Sequence, residues 1–137
     1  TQAFLDVVDA IIAGGGMVGG LGECYTRVAA AHAVHNGLTT LPQTERFLHG
    51  TKVAYGILVQ SELLGQREVT QQLMAAFARF NLPTSLAALD VDIHNQADVD
   101  QVITRTLAPF ESIHALPVAL SAASLRAAME RVEALSV

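Results

Sequence analysis

Residues 50–65, GTKVAYGILVQSELLG, are apolar nearly all round over positions 53–59 and end on a glycine. A helix without a polar face has to be enclosed on every side, so this segment predicts a central helix with other elements packed around it, terminated at Gly65. Candidates for those elements flank it. FLDVVDAII places Phe4, Leu5, Val7, Val8, Ile11 and Ile12 at helical spacing with Asp6 and Asp9 opposite, an amphipathic helix whose two carboxylates read as a solvated face rather than as metal ligands. RVAAAHAVH, residues 27–35, reads as a second helix whose alanines permit close approach, stopped by the turn signal Asn36-Gly37. Downstream, REVTQQLMAAFARFNL precedes Pro83, QADVDQVITRTL precedes Pro109, and SLRAAMERVEAL carries Leu125, Met129, Val132 and Leu135 as a buried stripe. No alternating β-type run of useful length competes with these. The predicted class is all-α, one multi-helix domain, and 137 residues suffice for a core of their own.

The composition narrows the setting. With 51% hydrophobic and only 15% charged residues the chain is greasy for a free-standing domain, which predicts that something normally covers part of it. A net charge of −5 with scattered Lys and Arg offers no footprint for phosphate backbones, so nucleic acid is not an expected partner. The uncharged run AIIAGGGMVGGLG, thirteen residues with six glycines, reads as too short and too glycine-rich to span a bilayer. Without a secretory leader pattern and with Cys24 alone, a reducing, cytoplasmic location is expected. That run also contains a formal G-x-G-x-x-G at Gly14, Gly16 and Gly19. A dinucleotide fingerprint needs a strand before the glycines and an acid-ended strand after them. Here an amphipathic helix leads in, so the expected structure is a helix C-terminus followed by a tight Gly-rich turn, with no cofactor-binding residue in the cluster.

Three of the five histidines fall within residues 29–56. His32 and His35 are three apart and share a helical face, while His49 opens the next helix. A helix N-terminus disfavours an imidazolium, which suits a metal ligand. By spacing alone, core histidines satisfied by backbone carbonyls are the commoner case.

AAAHAVHNGL followed after this interval by LHGTKVAYGILVQ resembles the signature region of the glycerol-dehydrogenase-like branch of the iron-containing, metal-dependent alcohol dehydrogenases, and the likeness looks closest to hydroxycarboxylate dehydrogenase members. It extends from FLDVVDAIIAGGGMVGGLG to the last helix. The resemblance implies a dehydroquinate synthase-like, two-domain enzyme, an α/β nucleotide-binding domain followed by a helical one, with the active site in the cleft between them. Residues 1–137 would be the C-terminal helical domain alone. It further implies a divalent ion, zinc or iron, held by one Asp and two His. The two histidines match His32 and His49, and the Asp would lie upstream of this chain. Such an ion polarises the substrate hydroxyl while hydride passes to NAD or NADP, bound mainly by the absent domain. His35 matches a further signature histidine near the metal, with a catalytic role in orienting substrate or relaying its proton, or else a structural one. The implied partners are a small-molecule substrate, the protein's own nucleotide-binding domain and further copies in a homo-oligomer, with no membrane.

Departures from the family pattern bear on the substrate. GECYTRVAAA stands where a Glu and Ser usually precede the alanines, and HGTK replaces His-Gly-Glu-Lys. A carboxyl is lost and Arg27 gained. Arg27 can bind a substrate carboxylate bidentately or simply lie on the surface, and in the first case a small 2-hydroxy or 2-oxo acid fits better than a neutral polyol. His94 and His114 match no signature. Two other readings compete with the dehydrogenase: a dehydroquinate synthase-like lyase domain, disfavoured by AHAVHNG, and a non-catalytic helical interaction module, disfavoured by the placement of the histidines.

Overall fold

The computed structural model describes residues 1–136, with side chains given for all of these except residues 23–27. Among them every regular element is helical: α1 (Gln2–Asp9), a π turn (Ala10–Gly14), α2 (Gly15–Arg27), α3 (Ala30–Leu38), α4 (His49–Leu63), α5 (Arg67–Arg79), α6 (Gln96–Thr106) and α7 (Ala122–Leu135). Short 3-10 turns at Pro42–Thr44, Ala87–Leu89 and Ser112–Ala115 join them.

Helix α4 is the centre. It packs on α3, α5 and α7, and α6 closes the remaining side against α3 and α7. Ala54, Tyr55, Gly56, Leu58 and Val59 are all buried, as expected of its apolar circumference, while Ile57 reaches solvent and Val53 is half-buried. Gly65 ends the helix region at φ +71°, a conformation that glycine adopts without strain. The core joins Val34 and Leu38 of α3 to Leu58 of α4, Val102 of α6 and Leu125, Met129 and Val132 of α7, with Leu135 at its margin.

The approach of α3 to its neighbours is set by two glycines. A Cβ on Gly56 would lie 2.3 Å from the carbonyl oxygen of Ala31, and one on Gly37 would lie 2.3 Å from Thr106 Oγ1 and 2.6 Å from the carbonyl oxygen of Val102. Both faces of α3 therefore meet backbone. The start of α3 is tied down from α4 and from the turn near residue 112: Ala31 N donates to Gln60 Oε1 at 3.0 Å, and Ser112 Oγ donates to the carbonyl of Ala29 at 2.9 Å.

Two sequence expectations are corrected. Asn36-Gly37 does not stop α3, which runs on to Leu38, because Gly37 is needed inside the helix where α6 crosses. The glycine cluster is no turn either. From Gln2 the chain stays helical through the π turn and the glycines to Arg27, with the Gly15 amide bonded to the carbonyls of Ile11 and Ile12. Nothing lies within 4 Å of where a Cβ would stand on Gly14, Gly15, Gly16 or Gly20, so no packing forces the helix to break there. Residues Gln2–Gly22 form a 21-residue helix, long and apolar enough by length and composition to cross a membrane, and none of it is buried. The reading of this stretch as too short to span therefore fails on length.

Candidate functional site

The connection between α2 and α3 is an abrupt change of backbone. Val28 is extended, at φ −136° and ψ 137°, and the helix restarts at Ala30. That restart sets the phase of α3, placing His32 and His35 on one face while Ala30, Ala33 and Val34 go into the core. His49 is the first residue of α4, after the extended cap residue Leu48. Tight packing of α3 on α4 at Gly56 brings the three imidazoles together.

The ring centroids of His32 and His49 are 5.5 Å apart, and those of His35 and His49 4.2 Å apart in an edge-on arrangement. His49 Nδ1 and His35 Nε2 lie 3.1 Å apart, a hydrogen bond between rings. On its other side His35 Nδ1 is 3.0 Å from Asn36 Oδ1. The Asn36 amide then donates to both oxygens of buried Glu111, at 3.1 and 3.0 Å, and Glu111 is paired with Arg105. Partial burial, reinforced by the neighbouring His49, lowers the proton affinity of His32 below the ordinary imidazole range. His35 is lowered as well, chiefly by burial and against the effect of its bond to Asn36.

Neutral imidazoles are what a divalent ion requires, since each must offer a lone pair. The rings of His32 and His49, with centroids 5.5 Å apart, would be the two that hold such an ion. The donor set therefore fits two ligands of such a site. No group of three or more His, Cys, Asp or Glu side chains able to hold an ion occurs among the described residues.

Lys52, in the first turn of α4, is buried with Nζ donating to the carbonyl of Thr44 at 3.2 Å, which pins the loop ahead of His49. The side chain of Arg27 lies outside the described residues; its backbone ends α2. His94 is exposed, and His114 Nε2 lies 3.2 Å from the carbonyl of Ala108. A cleft of about 460 Å³ beside Phe47 and Asn81, and one of about 540 Å³ beside Thr40, Arg105 and Phe110, are lined by none of the three clustered histidines. Sequence reading missed Asn36, Glu111 and Arg105. Asn36 sat in plain view but read as a turn residue.

The chain is 72% identical over 133 residues to hydroxycarboxylate dehydrogenase A of Escherichia coli, covering 97% of this chain and 37% of that protein. It is 37% identical to a glycerol dehydrogenase of Pseudomonas putida, over 85% of this chain and 32% of the relative. A solved probable glycerol dehydrogenase from Sinorhizobium meliloti superposes with a TM-score of 0.75 at 31% identity, over 79% of this chain and 31% of that one. The chain belongs to the glycerol-dehydrogenase-like branch of the iron-containing alcohol dehydrogenases. A glycerol dehydrogenase structure from Schizosaccharomyces pombe agrees, with a TM-score of 0.73 at 35% identity over 79% of this chain and 28% of that one. The helical architecture is thus that of a portion of these enzymes, and the chain spans between 25% and 37% of the length of the curated relatives it matches. No family model matches it.

Proposed function

We propose that residues 1–137 are the C-terminal helical, metal- and substrate-binding domain of an NAD(P)-dependent dehydrogenase that interconverts a small 2-hydroxy acid or polyol and its carbonyl form. The observation that carries this reading is the convergence of His32, His35 and His49 from two helices, in a chain whose relatives bear the names hydroxycarboxylate dehydrogenase and glycerol dehydrogenase. His32 and His49 would hold a divalent ion, zinc or iron, together with an Asp contributed from outside this chain. Bound there, the ion supplies Lewis-acid polarisation of the substrate oxygen. His35 has the catalytic role of orienting substrate or relaying its proton; its neutral ring stands beside His49, and the relay requires that its Nε2 give up the bond to His49. Arg27 binds the carboxylate of an acid substrate. NAD or NADP is bound mainly by the nucleotide-binding domain that precedes this one in the intact protein. The location is cytoplasmic, and the apolar N-terminal helix is covered by protein rather than lipid, since Asp6 and Asp9 lie on it and carboxylates are costly in hydrocarbon.

Metal content separates the roles. In the intact enzyme, His32→Ala and His49→Ala are expected to lose the ion and nearly all activity, whereas His35→Ala holds the ion when metal is supplied in excess and turns over more slowly. Full metal occupancy by mass spectrometry in His32→Ala, or a site left empty by excess metal in His35→Ala, overturns the assignment.

A further inference from the structure

We propose that Glu111, acting through Asn36 and His35, decides which ring nitrogen of His49 is left open to a metal ion. The basis is the polarity of a chain of hydrogen bonds that can run in one direction only. Glu111 is paired with Arg105, and an ionised carboxylate accepts without donating. Asn36 lies 3.1 and 3.0 Å from its two oxygens, so the Asn36 amide must turn its NH₂ to Glu111 and its Oδ1 to His35. An oxygen acceptor 3.0 Å from His35 Nδ1 requires the proton on that nitrogen. A neutral His35 then carries a bare Nε2. His49 Nδ1, 3.1 Å away, must donate to it, and the lone pair of His49 is left on Nε2.

Each link removes one degree of freedom that a free imidazole would keep. Asn36 and Glu111 are thus positioning residues, acting through His35. Glu111 suits the role because it is fixed independently of the histidines: it is buried, held by Arg105 from α6, and its amide is bonded to the carbonyl of Ala108 at 2.9 Å. The carboxylate–histidine–metal arrangement known from metal sites is here lengthened by an asparagine and a second imidazole.

The proposal rests on His49 being a ligand, so the test reads the tautomers apart from the metal. In the intact, metal-stripped enzyme at about pH 8, above the ordinary imidazole range, histidine-selective ¹⁵N spectra should show the Nδ1–H tautomer for both His35 and His49. Asn36→Leu and Glu111→Leu should lose that preference. Glu111→Gln keeps an acceptor oxygen and should retain it. Zinc affinity, measured by competition with a chelator, should fall roughly 10- to 100-fold in the two leucine variants, the usual cost of losing such a partner, and hold in Glu111→Gln. An Nε2–H tautomer at His35 in the parent enzyme overturns the proposal even if no variant folds. So does unchanged zinc affinity in a folded Asn36→Leu. If His49→Ala binds zinc as well as the parent, the ligand assignment fails instead, and the tautomer spectra still judge the chain of bonds.

Discussion

A guanidinium grips a carboxylate through two parallel N–H···O bonds, a geometry that neutral hydroxyls do not reproduce. Arg27 closes α2, and after the extended Val28 the chain enters the helix that carries His32. If its side chain pairs with the substrate, Arg27→Gln leaves an anion unpaired on binding and costs about 2–5 kcal/mol. The loss should fall on 2-hydroxy and 2-oxo acids, because specificity is a difference between affinities. We expect kcat/KM of the intact enzyme to drop by roughly two orders of magnitude or more on a small 2-oxo acid, and hardly at all on a neutral carbonyl of similar size. Equal losses on both would indicate disturbed packing, and no loss on either would favour a polyol. At this scale the sequence was legible where the geometry is local. A spacing of three on one helix and a place at the start of the next drew attention to His32, His35 and His49, but their roles came from the likeness of the surrounding motifs to a family, not from spacing. The bonds that hold them were hidden, because Glu111 meets Asn36 across 75 positions and no local pattern joins the two.

Glycine inside a helix costs about 1 kcal/mol relative to alanine, and for that reason the glycine cluster after α1 reads as a stop. The helix continues, and its amides are consumed by its own carbonyls, as at Gly15. A phosphate cradle needs free N–H groups converging at a helix N-terminus, which these glycines do not offer. The 137-residue chain is accordingly expected to show no heat of binding with NAD(H) or NADP(H) in calorimetric titration. Sub-millimolar binding abolished by Gly16→Ala would restore the phosphate-cradle reading. The same element-level logic explains Asn36-Gly37. Local propensity marks a turn, but Gly37 is buried where α6 approaches and Asn36 is committed to Glu111, so tertiary contacts prolong the helix. By contrast α4, α5, α6 and α7 were legible nearly to their ends. Their apolar stripes face the core they build, and Asn95, Ser121 and Gly65 mark boundaries with local chemistry.

Residues 30–136 enclose a packed core, whereas α1, the π turn and the described side chains of α2 contribute no buried residue. Phe4, Ile11, Ile12 and Leu21 are 65%, 67%, 68% and 83% exposed, a patch of a kind that soluble domains rarely leave open. Covering it is worth about 25 cal/mol per Å² of apolar surface, so the helix will find a partner: the further domain proposed for the intact enzyme, another copy, or lipid. The first is the expected one, because the matched relatives run far beyond this chain and two carboxylates on α1 oppose insertion. Measurements on the 137-residue chain follow from that choice. Alone, it should self-associate in ultracentrifugation and oxidise no hydroxy acid or polyol, since the proposed function draws the nucleotide and the third metal ligand from outside residues 1–137. Co-expressed with the remaining part of its parent enzyme, it should form a soluble complex and recover activity. Replacing Ile11 and Ile12 with Gln should abolish self-association of the isolated chain and weaken the complex together, because both would use one face. Flotation of the chain with neutral phosphatidylcholine vesicles, undiminished by the missing part, would instead assign that helix to the membrane.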